Sequence, residues 1–251
     1  MAVWAIADLH LSFGVPNKEM HVFGENWRDH PAKIRKHWEE LISDDDLVLI
    51  AGDISWAKHL EEALPDLEYI HSLPGTKVMI RGNHDYWWSA ISKVRKRLPA
   101  DIHVLQNDSF TWNNIAIGGA RLWDTSEFNF DGCVEIVEAD CVIPLTETDR
   151  DEKRAERLYV RELMRLESSL KTLDTKADKR IVMTHYPPVG PNLEGSRASK
   201  ILENYQIDFC VFGHVHSMKH SCDPLFGEKN GVTYVMTAAD YLDFSPIKIC
   251  D

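Results

Sequence analysis

Residues 47–85 read LVLIAGDISWAKHLEEALPDLEYIHSLPGTKVMIRGNHD. An apolar run, Leu47–Ala51, is cut off by Gly52-Asp53. A helical pattern follows over Leu60–Leu73, with Pro65 as a break or restart. A second strand-like run, Lys77–Ile80, is closed by Arg81-Gly82-Asn83. Two short strands joined by a helix predict a β-α-β unit with parallel strands. The pattern continues toward the N-terminus. Val3–Ala7 is a compact apolar run ending at Asp8, and Asp29 with Pro31 starts a helix whose apolar positions are Ile34, Trp38, Leu41 and Ile42. On the other side, Tyr86–Leu98 reads as a helix ending before Pro99.

The middle of the chain changes character. His103–Leu105, Phe110–Trp112 and Ile115–Gly118 are short strands, and Asn113-Asn114 predicts a hairpin. Arg121–Leu145 is irregular and aromatic-rich, and Thr146–Leu173 is one long charged helix with Leu158, Leu163, Met164, Leu166 and Leu170 as its buried stripe. Strand Arg180–Met183, helix Arg197–Tyr205, strand Phe209–Phe212 and terminal strands Val232–Thr237 and Ile247–Ile249 complete a half expected to be richer in β-structure. The chain is read as one domain over 1–251, with 121–179 as a cap over the site.

Composition narrows the function. The 251 residues are 44% hydrophobic and 27% charged, an ordinary globular balance that argues against disorder. A net charge of −12 disfavours adhesion to duplex nucleic acid or an anionic membrane, but leaves an anionic substrate open because a metal site reverses the local sign. No apolar run approaches the ~18–20 residues of a membrane span. Met1–Ala7 lacks the basic region of a signal peptide. Cys133, Cys141, Cys210, Cys222 and Cys250 are odd in number and form no C-x-x-C pair, which predicts reduced thiols in a cytoplasm.

Five places put metal-competent side chains directly after a predicted strand: Asp8-Leu9-His10, Gly52-Asp53, Gly82-Asn83-His84-Asp85, Thr184-His185 and Gly213-His214-Val215-His216. Ligands in open α/β sheets sit beyond the carboxyl ends of strands, where loops converge. Asp53 and Asn83 are 30 residues apart and His185 and His214 are 29 apart, each about the ~30 residues of a βαβ module. Each pair therefore belongs at the same end of adjacent strands. Taken singly, a strand-end Asp is more often a turn former and a lone His a hydrogen-bonded core residue. The set as a whole uses five of the twelve histidines at strand ends, which chance does not explain.

In this order, D-x-H, G-D, G-N-H-D, H and G-H-x-H resemble the signature of the calcineurin-like metallophosphoesterases, over Asp8 to His216. The resemblance implies an α/β fold, a four-layer α/β/β/α sandwich of two mixed β-sheets flanked by helices, around two metal ions. It also implies that Asp8, His10 and His216 hold the first ion, that Asn83, His185 and His214 hold the second, and that Asp53 bridges them. His84 would face the substrate and Asp85 would orient His84 and raise its pKa. Mixed carboxylate, amide and imidazole donors suit Mn²⁺, Fe or Zn²⁺ better than Ca²⁺ or Mg²⁺. Two such ions against two aspartates leave a local charge of about +2, attractive to a phosphate dianion. The expected reaction is attack on phosphorus by a metal-bound hydroxide, with His84 donating a proton to the departing oxygen.

Gly52-Asp53 is followed by Ile54-Ser55-Trp56-Ala57-Lys58, without the arginine that follows G-D in the protein Ser/Thr phosphatases, and G-H-x-H looks more like the phosphodiesterase and nuclease branch. A small phosphoester, diester or monoester, is the expected partner. Arg81, Arg121 and Arg197 are candidate substrate-binding residues, each with an ordinary ion pair as its alternative. Trp27, Trp56, Trp87, Trp88 and Trp123 lie near loops, where aromatic packing is the default. The Asp149–Glu167 charge run reads as a solvated helix face. The competing class is a scaffold of the same fold without catalysis, against which stands the presence of every ligand and of His84.

Overall fold

The computed structural model describes residues 1–16, 18–134, 152–219 and 226–251. The first half runs β1 (Val3–Ile6), α1 (His30–Leu41), β2 (Leu47–Ile50), α2 (Leu60–His71), β3 (Thr76–Met79), α3 (Ile91–Arg95) and β4 (Ile102–Val104). The second runs β5 (Phe110–Trp112), β6 (Ile115–Ala120), α4 (Glu152–Leu170), β7 (Lys179–Thr184), α5 (Arg197–Asn204) and β8 (Phe209–Phe212), then β9 (Glu228–Lys229), β10 (Val232–Met236) and β11 (Ile247–Cys250).

Two mixed sheets form, ordered β11-β1-β2-β3-β4 and β5-β6-β7-β8-β10-β9. β1 to β4 are parallel with β11 antiparallel at the edge, and β6, β7, β8 and β10 are parallel with β5 and β9 antiparallel at the edges. Period-two alternation then sorts the side chains. Val3, Ala5, Leu47, Leu49, Val78, Ile115, Ile117, Ile181 and Met183 face a core between the sheets. Ile6, Val48, Ile50 and Met79 face the other way, onto Ile34 and Trp38 of α1 and Leu67 and Ile70 of α2. Ala116, Val182, Cys210 and Phe212 face Leu163, Leu166 and Leu170 of α4 and Leu202 of α5. Three apolar cores separate four layers, the α/β/β/α sandwich.

Several elements depart from expectation. The second half repeats the β-α plan of the first, because α4 and α5 connect parallel strands. α2 runs unbroken through Pro65. The helix expected over Tyr86–Leu98 shrinks to Ile91–Arg95, because Tyr86–Trp88 belong to a turn. There the Tyr86 N–H donates to His84 O (2.8 Å), the Trp88 N–H to Asp85 O (3.2 Å) and Trp87 Nε1 to Asp85 Oδ1 (2.9 Å). On α4, Leu163, Leu166 and Leu170 are buried as expected, but Met164 is exposed, and Tyr159, Glu162 and Ser169 are buried instead. Of the segment 121–179 read as a cap, α4 lies in the outer helix layer and Trp123–Asp131 includes walls of a cavity described below; 135–151 lie outside the described residues, as do Cys141, Cys222 and the start of the Asp149–Glu167 run. Among the described residues no helix is long and apolar enough to cross a membrane.

Candidate metal centre

Parallel strands deliver their carboxyl ends to one side, and backbone hydrogen bonds knit those ends together across both sheets. The Ala7 N–H donates to Thr237 O (2.7 Å), Ala239 N–H to Ala7 O (3.0 Å), Asp8 N–H to Gly52 O (2.9 Å), His10 N–H to Asp53 O (3.0 Å) and Gly213 N–H to His185 O (3.1 Å). Asp8, His10, Asp53 and His214 all have positive φ, between 45° and 74°, a sparsely allowed region for such residues that the surrounding bonds hold in place. Two glycines admit the crowding. A Cβ on Gly82 would lie 2.1 Å from Asp53 Oδ1, and one on Gly213 would lie 2.1 Å from Asp8 Oδ2.

Asp53 and Asn83 leave adjacent strands β2 and β3, and His185 and His214 leave adjacent strands β7 and β8, as the spacing predicts. All seven expected ligands converge. His10 Nε2 and His216 Nε2 face each other across 3.4 Å, with Asp8 Oδ1 3.7 Å from His216 Nε2. Asn83 Oδ1 is 2.6 Å from His185 Nε2 and 3.0 Å from His214 Nδ1. Asp53 Oδ2 lies between these groups, 3.4 Å from His185 Nε2 and 3.8 Å from His10 Nε2. Two clusters have their ligand atoms within 4.8 Å of one another: Asp8, His10 and His216, and Asp8, Asp53 and His185. Asp8 thus reaches both.

These residues fit divalent cations. Asp8 Oδ1 is buried and accepts no hydrogen bond, an acceptor left over once Asp8 Oδ2 has taken the His214 N–H (2.9 Å). Two imidazoles are locked in one tautomer by outer partners. His185 Nδ1 donates to Ala51 O (3.0 Å) and His216 Nδ1 to Asp240 Oδ1 (2.8 Å), so each turns Nε2 into the centre.

Crowding these groups together shifts their ionisation. Burial opposes charge on His185, but the Asp53 and Asp8 carboxylates outweigh it and raise its pKa to about 9. Burial likewise opposes charge on His216, and Asp240 with Asp8 raises it to about 9. Burial drives His10 and His214 well below the ordinary histidine value. Asp8 is raised to about 6 by burial, which the two charged histidines only partly offset. Asp53, despite its burial, is held well below the carboxylate range by His185 and its neighbours.

His84 stands on the wall of the centre. Its Nε2 is 4.0 Å from Asp53 Oδ2, its side chain is 34% exposed, and its ring lies 4.5 Å from Trp56. Burial lowers its pKa in spite of Asp53. The expectation that Asp85 orients His84 is corrected. Asp85 is fully buried and points away, accepting from the Ile54 N–H (2.9 Å), Ser55 N–H (3.1 Å), Gly82 N–H (2.8 Å) and Trp87 Nε1. Its carboxylate pins the loop after β2 to the loop after β3, and His84 Nδ1 is buried without an acceptor.

A cavity of about 1090 Å³ opens over His10, His84, His214 and His216. Trp27, Trp56 and Trp123 wall it, while Trp87 and Trp88 are core residues. The three candidate arginines do not line it. Arg197 is taken by Glu127 and by Glu156 (2.7 and 2.8 Å), so its part in substrate binding is withdrawn. Arg121 bonds Glu162 (3.2 Å) and covers the Trp123 ring. The cavity's cations are Lys18 and Lys58, which the sequence reading missed. It also missed Asp240, although Asp240 follows β10 much as Asp8 follows β1. Tyr186, its ring centre 3.9 Å from that of His214 and tilted 37° to it, and Asp124, 3.9 Å from His214 Nε2, were missed as well, since neither sits in a motif.

The chain is similar to several known proteins. Two phage proteins, each named Gene 66 protein, match part of the chain: that of Mycobacterium phage L5 is 33% identical over 82 residues, and that of Mycobacterium phage D29 is 32% identical over 83. Each match spans 33% of this chain and about 40% of the phage protein. Among solved structures, a phosphopantetheinyl hydrolase from Mycobacterium tuberculosis superposes with a TM-score of 0.55 at 15% identity, over 99% of this chain and 95% of the other, a likeness of fold. A protein of unknown function from Aquifex aeolicus gives 0.49 at 15% identity over 98% and 95%. The profile of the calcineurin-like phosphoesterases matches residues 1–218, from before Asp8 to beyond His216, and the chain belongs to that family.

Proposed function

We propose that the protein hydrolyses a small phosphoester at a pair of divalent transition-metal ions, Mn²⁺, Fe or Zn²⁺, as a cytoplasmic enzyme. One observation carries this reading: side chains from five strand ends gather around Asp53 and the unpartnered Asp8 Oδ1, and His10, His214 and His216 among them line a cavity together with His84. Asp8, His10 and His216 would hold one ion and Asn83, His185 and His214 the other, with Asp53 between them. When bound, such ions polarise phosphoryl oxygens and make water available as a nucleophile near neutral pH.

The chain's own residues supply the rest. Asp240 and the Ala51 carbonyl keep His216 and His185 turned inward. Trp56 packs beside His84, whose Nε2 donates a proton to the departing oxygen. Burial lowers the His84 pKa and so disfavours its charged form, and an anionic phosphoester standing against the ring would act in the opposite direction and favour it. Asp85 fixes the loop on which His84 rides. The cavity is large enough for an organic substituent on the phosphate, which favours an ester of a sizeable alcohol. A net charge of −12 argues against a duplex nucleic acid as that substrate.

The test is turnover of p-nitrophenyl phosphate and bis-p-nitrophenyl phosphate by Mn²⁺-loaded protein, with preference for the diester supporting the phosphodiesterase branch. His84→Asn is expected to retain its ions by elemental analysis while losing ~10²–10⁴-fold in kcat. Unchanged turnover in that variant removes His84 from the mechanism. No turnover by the wild-type chain with ions bound returns the reading to a scaffold.

A further inference from the structure

Arg81 and Arg121 leave facing sheets at the same end. Gly119 of β6 brings the sheets close: a Cβ there would lie 3.1 Å from Ile80 Cγ2, and the two arginines follow immediately. Both are tied to the metal centre by the backbone. Arg81 precedes the Gly82-Asn83 turn, and Arg121 O accepts the N–H groups of His185 (3.1 Å) and Tyr186 (2.9 Å).

Their charges are poorly matched. Glu162 of α4, 1% exposed, takes Arg165 at 2.7 Å, Arg121 at 3.2 Å and Arg161 at 3.7 Å on the same oxygen. Arg81 adds a guanidinium with no ion pair among the described residues, and the charge acting most strongly on it is Arg121, a like charge. Asp85 is near, but its oxygens are committed to Gly82, Ile54, Ser55 and Trp87. The Nε atoms of both Arg81 and Arg121 are buried without acceptors. In a chain of net charge −12 this is a local surplus of forked donors over carboxylate oxygens, and a guanidinium fork matches a phosphate bidentately.

We infer that Arg81 and Arg121 form an oxyanion site beside the metal centre that takes a phosphate group. That group is either the second phosphate of a substrate or free inorganic phosphate; the first source rests on the hydrolase reading, and the binding itself does not.

The experiment is calorimetric titration and thermal unfolding of the full chain with inorganic phosphate, after EDTA treatment and again with Mn²⁺. The EDTA-treated wild type is expected to bind phosphate, Arg81→Met to lose about tenfold or more in affinity, and Arg81→Lys to lose less. Without phosphate, Arg81→Met should melt no lower than wild type, because it removes a buried donor that had no partner. Mn²⁺ should add a second phosphate to both proteins; if it does not, the metal reading fails while the arginine site stands on the EDTA-treated result. A rise in KM that is larger for adenosine 3′,5′-bisphosphate than for p-nitrophenyl phosphate in Arg81→Met assigns the site to a substrate's second phosphate. Equal changes assign it to free phosphate. Equal phosphate affinity in wild type and Arg81→Met, or a lower Tm of that variant without phosphate, overturns the inference.

Discussion

Asp240 touches no expected substrate position, yet it decides what His216 can do. Its Oδ1 accepts from His216 Nδ1 and its Oδ2 from the Ser217 N–H (2.9 Å), so ring and backbone are held by one carboxylate. This fixes the tautomer and makes Nε2 the free donor. Outer partners of this type are worth about 10–100-fold in metal affinity. Asp240→Ala is therefore expected to weaken Mn²⁺ binding by about that factor, with little change in fold, measured by titration and circular dichroism. Unaltered affinity would mean that the His216 ring is held by packing against Trp27 instead. The same reasoning separates the seven expected ligands from Asp85. A strand-end donor aimed inward is legible in sequence because β-structure sets its place. Which way the next carboxylate turns depends on N–H groups from a distant loop, here Ile54 and Ser55, and no local pattern announces them.

At the level of elements, the strand ends were legible and the inter-element ties were not. Apolar runs broken by Gly-Asp, Gly-Asn or Gly-His mark β2, β3 and β8 directly, since a buried parallel strand must be apolar and its end must be free to carry chemistry. The partners of Arg197 are 41 and 70 residues away in the chain, at Glu156 of α4 and at Glu127 in the loop after β6, and only the packing of α5 against that helix and that loop brings them together. The Asn230-Gly231 turn joining β9 to β10 carried a readable hairpin signal that was passed over. Asp66 is another tie of this kind. From α2 it accepts the Phe13 N–H (2.7 Å) and the Ser55 hydroxyl, fastening the loops after β1 and β2 to one helix. Burial raises its pKa from 3.8 to about 6. The folded chain therefore keeps this proton to a higher pH than the unfolded chain does, and ionising it costs stability as pH rises from about 4 to 6. Asp66→Asn keeps an acceptor for Phe13 and a donor toward Ser55. It is expected to remove that decline, worth about 2 kcal/mol, and to be at least as stable as wild type at pH 7. Urea unfolding at pH 4, 5, 6 and 7 measures it; an identical pH slope in both proteins refutes the assignment.

Over the whole molecule, two sheets meet at one end to build a cage that is charged even without its ions. His185 and His216 are raised to about 9, so at pH 7 each carries a proton, one on the ligand set of each expected ion. A cation must displace that proton to reach Nε2. Binding two ions at pH 7 is then expected to release about two protons per chain, and the apparent affinity for each ion should rise about tenfold per pH unit between pH 6 and 8. Below about pH 6 Asp8 also takes up a proton, and the dependence should steepen for an ion that Asp8 would hold. Ions that bind only the folded chain raise its Tm by mass action, so the Mn²⁺-induced rise in Tm should grow over the same interval. Calorimetry in two buffers of different ionisation enthalpy counts the protons. A count near zero at pH 7 would mean that His185 and His216 are neutral before the ions arrive, and that their pairs with the neighbouring carboxylates, Asp53 with His185 and Asp240 with His216 foremost, do not hold the charge that their distances of 3.4 and 2.8 Å imply.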